Sequence, residues 1–211
     1  MNQNIIKIWD KLTPVKSVIY FLILLFFFHF SWKIFIDGDQ AGNQIFFLGK
    51  EIYLPWLQAS FPLKLTQAAA WFIRLFPDMG DIMINGIRLH YPEGKSATAI
   101  VWGCTGVKQT LIFIGIMAFY KCFSLTKKED NSGYAFQFLP YWNKLWYIPL
   151  GCIILAVYNV IRIGSISMLI RYNPEKFDFY HDGIFRYIYY TIIFVLWVVW
   201  EEVYVQKRSK K

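Results

Sequence analysis

The chain has 211 residues, 56% hydrophobic and 20% aromatic, and carries a net charge of +8. So much apolar side chain excludes a soluble domain with a solvated outer face and points to a polytopic membrane protein. The basic excess lies at the ends of apolar runs rather than in an aromatic-interleaved patch, which excludes a nucleic-acid interface and matches orientation signals.

In chain order, the first apolar run is VKSVIYFLILLFFFHFSW, residues 15–32, preceded by Lys7 and Lys11 and carrying Lys16. It is long enough to cross a bilayer and lacks a small-residue cleavage pattern, so it reads as a retained signal anchor. Residues 33–103 form a more polar segment. Within it, LKLTQAAAWFIRLF (63–76) places Leu65, Ala68, Phe72 and Leu75 at helical spacing but carries Lys64, Gln67 and Arg74. An interfacial or re-entrant amphipathic helix fits that pattern better than a span. DIMINGIRLHY (81–91) alternates around Asn85-Gly86, which predicts a small β-hairpin with positive φ at both central residues. Three further spans are expected at 104–123, 145–170 and 184–205.

The expected fold is therefore a single all-α integral membrane domain over 1–211. It is a polytopic bundle of about four transmembrane helices, with an outer-face helix and a hairpin. The loop after the second span carries Lys127, Lys128 and Lys144, and the tail reads QKRSKK. The positive-inside bias puts the N-terminus, that loop and the C-terminus in the cytoplasm, with 33–103 and 171–183 outside the inner membrane.

Cys104, Cys122 and Cys152 are too few for a disulfide framework, and no Cys/His pair has zinc-ligand spacing. No metal or cofactor is expected. Cys122 and Cys152 read as small apolar packing residues. Cys104 differs because it opens a span, where free amides and the helix dipole favour thiolate, with Lys108 one turn on and Gly106 allowing close approach. In YNVIRIGSISML, Asn159 and Arg162 share a helix face deep in an apolar run. Such an arginine either snorkels or serves a polar site, and Arg162 lies far from the nearest span end for snorkelling. His181 precedes the last span, with Asp182 as a helix N-cap. His29 and His90 are also on the outer side but have no comparable neighbours.

Topology thus brings Cys104, Arg162 and His181 to the outer half of one bundle. A thiol nucleophile, a general acid/base and a cation for the oxyanion suit acyl transfer through a thioester. Two other readings use the same residues differently. One is a non-enzymatic membrane assembly or transport factor in which Arg162 pairs structurally and Cys104 is packing. The other is an acyltransferase carrying a lipid thioester on Cys104.

Three separated blocks, CTGVKQT with Cys104 and Gly106, NVIRI with Asn159 and Arg162, and HDGIF with His181, resemble the exosortase/archaeosortase family of polytopic membrane enzymes. The resemblance covers roughly Met79 to Val205. It implies a transpeptidase that cleaves a C-terminal sorting signal built of a short motif, an apolar helix and a basic tail, so that the partners are exported proteins bearing that signal. It also implies Cys104 as nucleophile, Arg162 as the family-type arginine and His181 as the third catalytic residue, histidine there suggesting the exosortase branch. Trp102, Gly103, Thr105 and Lys108 depart from the family's common residues around the cysteine.

Overall fold

The structure is a computed structural model of the chain, describing residues 13–37, 43–92, 97–120, 123–127, 134–138 and 142–206. Cys122, the Lys128 position and the basic tail from Lys207 lie outside the described residues.

The first helix, α1, runs Thr13–Phe35, and its apolar side chains are exposed on several faces, among them Ile23, Phe26, Phe27 and Phe30. A helix that shows hydrophobic residues all round has hydrocarbon, not water, as its compatible surroundings. Among the described residues, three helical stretches are long and apolar enough to cross a membrane: Val15–Phe35, Lys144–Tyr172 and Pro174–Val205. The second expected span, 104–123, is shorter than anticipated. Helix α3 covers only Val107–Phe119, 13 residues, or about 20 Å of rise. Its start is delayed because Gly106 adopts a left-handed conformation (φ 75°), leaving Trp102–Cys104 as a separate 3-10 turn. Its end is set where Tyr120 turns extended and Lys144 Nζ donates to the carbonyls of Ala118 and Tyr120, capping the helix with a cation.

The expectation of an all-α protein with one hairpin needs correcting. Among the described residues are three small antiparallel sheets. The first joins β1 (Ile36–Asp37), β2 (Ile45–Phe47) and β3 (Lys50–Ile52). Its β2–β3 turn centres on Leu48-Gly49, both at positive φ (50° and 77°). The second contains the expected hairpin, β4 (Met83–Asn85) and β5 (Arg88–His90), extended by β6 (Ala97–Ala99). Its turn residues are Gly86-Ile87 rather than Asn85-Gly86: Asn85 pairs with Arg88, and Gly86 alone has positive φ. A glycine at the first central position is the pattern of the II′ class, which needs positive φ only there. The third sheet pairs β7 (Phe123–Lys127) with β8 (Tyr134–Phe138), in the segment expected to be a loop.

The amphipathic helix is present as α2, Phe61–Ile73, continued backwards by a π-helical turn, Trp56–Ser60. Its buried residues Leu65, Ala69, Ala70 and Ile73 form a core with Leu89 of the second sheet, Ile82 and Ile100 at the ends of its strands, and Ile163 of the long helix α4, Lys144–Tyr172. Gly164 of α4 brings the helices close, since a Cβ there would meet the Phe72 ring at 2.5 Å. The last helix, α5, spans Phe185–Trp200, with π-helical turns before it (Phe179–Ile184) and after it (Glu201–Gln206).

A larger core joins α1, α3, α4 and α5 through Phe21, Phe113, Ile116, Leu155, Ile193 and Trp197. At one end of α1, α3 and α5 the buried carboxylate of Glu201 accepts from Ser17 Oγ and Tyr120 OH, both at 2.8 Å. At the other end stand Lys33, Cys104 and Arg186. Along α1 and α5 the two levels lie roughly 23 Å apart, since about 15 or 16 residues separate them at 1.5 Å each, while the shorter α3 spans about 20 Å.

Candidate active site

Cys104 is placed by what surrounds its 3-10 turn. Strand β6 leads into it. Trp102 is pinned from the first sheet: its backbone N–H donates to Asn43 Oδ1 (3.0 Å) and its indole N–H to the Gln44 carbonyl (2.9 Å). Asn43 is itself clasped to Gln58 by side-chain bonds in both directions, at 2.7 and 2.8 Å. The second sheet is tied to the end of α4 by Arg171, which donates to both carboxylate oxygens of Asp81 at 3.1 Å and stacks over the Tyr91 ring at 4.5 Å. Thr105 Oγ1 closes the turn by donating to the Trp102 carbonyl at 2.6 Å.

Behind the cysteine, Asn159 Nδ2 donates to the Cys104 carbonyl at 3.1 Å. Gly106 permits this approach: a Cβ at that position would stand 2.7 Å from the Tyr189 hydroxyl and 3.1 Å from Asn159 Cγ. Asn159 also accepts from Arg162 Nη1 at 3.4 Å, so the asparagine joins the arginine to the cysteine's backbone.

The structure brings together the three residues singled out in sequence. His181 Nε2 lies 3.7 Å from Cys104 Sγ, hydrogen-bond distance for sulfur. His181 Nδ1 lies 2.9 Å from Asp182 Oδ1. A carboxylate only accepts, so Nδ1 carries the proton; Nε2 then presents a lone pair to the thiol, which donates. The imidazole plane is fixed by stacking on Phe177, with centroids 5.1 Å apart and planes 15° apart. Arg162 is 5% exposed, and its Nε has no hydrogen-bond partner. Cys104, Arg162 and His181 line one small cavity of about 20 Å³.

Two expectations change. Asp182 does not cap a helix. The segment around it is wound as a π-turn, and its carboxylate instead orients His181 and accepts from Arg186 Nη2. The Cys104 thiol is not lowered by a helix terminus: burial pushes it up, with the Arg162 guanidinium pulling the other way. The cation acting on the thiol is therefore Arg162. Lys108 instead lines a polar cavity of about 380 Å³ that Arg162 and His181 also line, together with His29, Lys33 and Arg186. Asp182 and Asn159 are the contributors whose roles sequence spacing understated. His29 accepts or donates to the Tyr190 hydroxyl at 3.2 Å. His90 sits in β5 opposite Met83 and Ala97 and does not line the polar cavity. Cys152 is a free thiol on an apolar groove beside α3. Among the described residues no cluster of three or more His, Cys, Asp or Glu is placed to hold a metal.

Compared with known proteins, the chain matches no family model, no curated protein and no solved structure.

Proposed function

We propose that the chain is an exosortase-like, membrane-embedded cysteine peptidase and transpeptidase that cleaves C-terminal sorting signals of exported proteins. The observation that carries this reading is the contact of Cys104 Sγ with His181 Nε2 at 3.7 Å, backed by Asp182 on the other ring nitrogen. A buried neutral thiol needs a base at the moment of attack, and a neutral imidazole held by a carboxylate supplies one.

In the reaction, His181 takes the Cys104 proton as sulfur bonds to the scissile carbonyl carbon. Arg162, buried with a free Nε donor, stabilises the oxyanion. The C–N bond then breaks, and the proton held by His181 passes to the leaving amine, giving a thioester. An incoming amine, or water, loses its proton to His181 as it attacks the thioester, and His181 returns that proton to the departing Cys104 sulfur. The leaving fragment carries the signal's apolar helix and basic tail.

Orientation follows the positive-inside bias: both termini in the cytoplasm, and Cys104 toward the outer face of the inner membrane. In support, Lys33, Cys104 and Arg186 share one end of the helices while Ser17, Tyr120 and Glu201 share the other. An impermeant thiol reagent should therefore reach Cys104 from outside the inner membrane.

The test is co-expression of the wild type or Cys104→Ala with an exported protein ending in a motif, an apolar helix and a basic tail. Processing by the wild type and its loss in the variant is expected. Equal processing by both would remove the assignment of Cys104.

A further inference from the structure

The cavity of about 380 Å³ beside the Cys104–His181 pair is lined by cations from four different elements: Lys33 at the end of α1, Lys108 in the first turn of α3, Arg162 of α4 and Arg186 of α5. Asp37 is the one carboxylate among the described residues of the lining, and Arg186 is already paired with Asp182 beside it, which leaves Lys33 and Lys108 as the cations to be met. Among the described residues neither Lys33 nor Lys108 has an ion-pair or hydrogen-bond partner. Several converging cations in a walled cavity favour an anionic group whose oxygens can accept from more than one of them.

Two further features narrow the ligand. Gln109 lines the cavity and its side-chain oxygen is buried without a partner, so a donor N–H or O–H on an occupant that reaches it would satisfy it. Lys33, Lys108 and Arg186 lie at the ends of apolar helices, the level at which lipid phosphates stand. Trp32, Trp102 and Tyr190 complete the lining with amphipathic rings suited to that depth.

We propose that this cavity binds the phosphate of a phospholipid headgroup, with Lys33 and Lys108 on the phosphate and Gln109 accepting from the headgroup's hydroxyl or ammonium. The site does not depend on the thiol chemistry, and its test does not use turnover.

The full chain is purified in a phosphate-free maltoside detergent and titrated with phosphatidylglycerol, phosphatidylethanolamine or a diacylglycerol of the same chains, with retained adducts read by native mass spectrometry. The wild type is expected to hold a phospholipid at much lower concentration than the diacylglycerol. A Lys33→Ala/Lys108→Ala double variant should weaken retention about thirtyfold, and the double Lys→Arg variant should restore it. Cys104→Ala should bind like the wild type, which separates this site from the proposed reaction. Glycerol phosphate serves as the soluble competitor: failure to displace the lipid identifies the bilayer as the source of the phosphate. Displacement at comparable concentration would assign the cavity to a soluble phosphate ester and overturn the lipid assignment. Equal retention of the diacylglycerol, or undiminished retention by the Ala double variant with the wild-type fold, would overturn the phosphate site.

Discussion

Cys104 and His181 are 77 residues apart in the chain and 3.7 Å apart in space, and the histidine's second nitrogen is held by its own neighbour, Asp182. The pairing is set by two irregular turns, a 3-10 turn and a π-turn, rather than by the regular helices they precede.

Asp182 should matter as a positioning residue. With Asp182→Asn the amide can donate as well as accept, so the tautomer that leaves Nε2 free is no longer enforced. Substrate processing should fall by about 10²–10⁴-fold. Alkylation of Cys104 by iodoacetamide near neutral pH should slow in parallel. A drop in processing without a change in thiol reactivity would argue against the positioning role.

The reactivity of Cys104 should depend on pH in a definite direction. Burial raises the thiol, so its thiolate fraction at neutral pH is small, and the alkylation rate should climb with a midpoint above the ordinary thiol value of about 8.5. The Arg162 charge pulls the midpoint down, so Arg162→Gln should move it higher still. A midpoint below the ordinary value in the wild type would contradict the buried resting thiol.

Gly106→Ala should be among the most damaging small substitutions. The added methyl meets the Tyr189 hydroxyl at 2.7 Å, and the backbone there has φ 75°. A loss of roughly 2 kcal/mol or more is expected from strain and overpacking together. Thermal unfolding in detergent measures it, and adding Tyr189→Phe, which removes the clashing oxygen, should recover part of the loss.

Leu48 is a site for stabilisation. It holds φ 50° at the first central position of the β2–β3 turn with its side chain 61% exposed, so it contributes little packing. Leu48→Asn, followed by the existing Gly49, gives the dipeptide such turns favour and should stabilise by about 1 kcal/mol. An unchanged or lower melting temperature would count against the strained turn.

Much of this arrangement was legible in the sequence because depth in an apolar run is readable: Arg162 is costly in the middle of a span, and Cys104 and His181 stand at span ends. The amphipathic helix and the hairpin followed from period. What escaped was conformational. A left-handed Gly106 cannot be told from a helical one by spacing, so the sequence pattern makes α3 longer than it is. Strands of two or three residues, such as Ile36–Asp37, carry too few alternations to register as a pattern. Asp182 beside a predicted helix start looks like a cap, and only the π-turn turns its carboxylate onto His181. The thiol's environment was misjudged for a related reason: helix termini are visible in sequence, whereas the side chains that exclude water around Cys104 come from distant segments.

The buried carboxylate of Glu201, bonded to Ser17 and Tyr120, gives α1 and α5 a common fulcrum roughly 23 Å from Lys33 and Arg186 at their other ends. A tilt of about 5° at that pivot carries Lys33 or Arg186 sideways by about 2 Å, enough to open or narrow the cavity while the pivot's hydrogen bonds survive. The helices that carry Lys33 and Arg186 are thus tied to each other at the end farthest from the thiol.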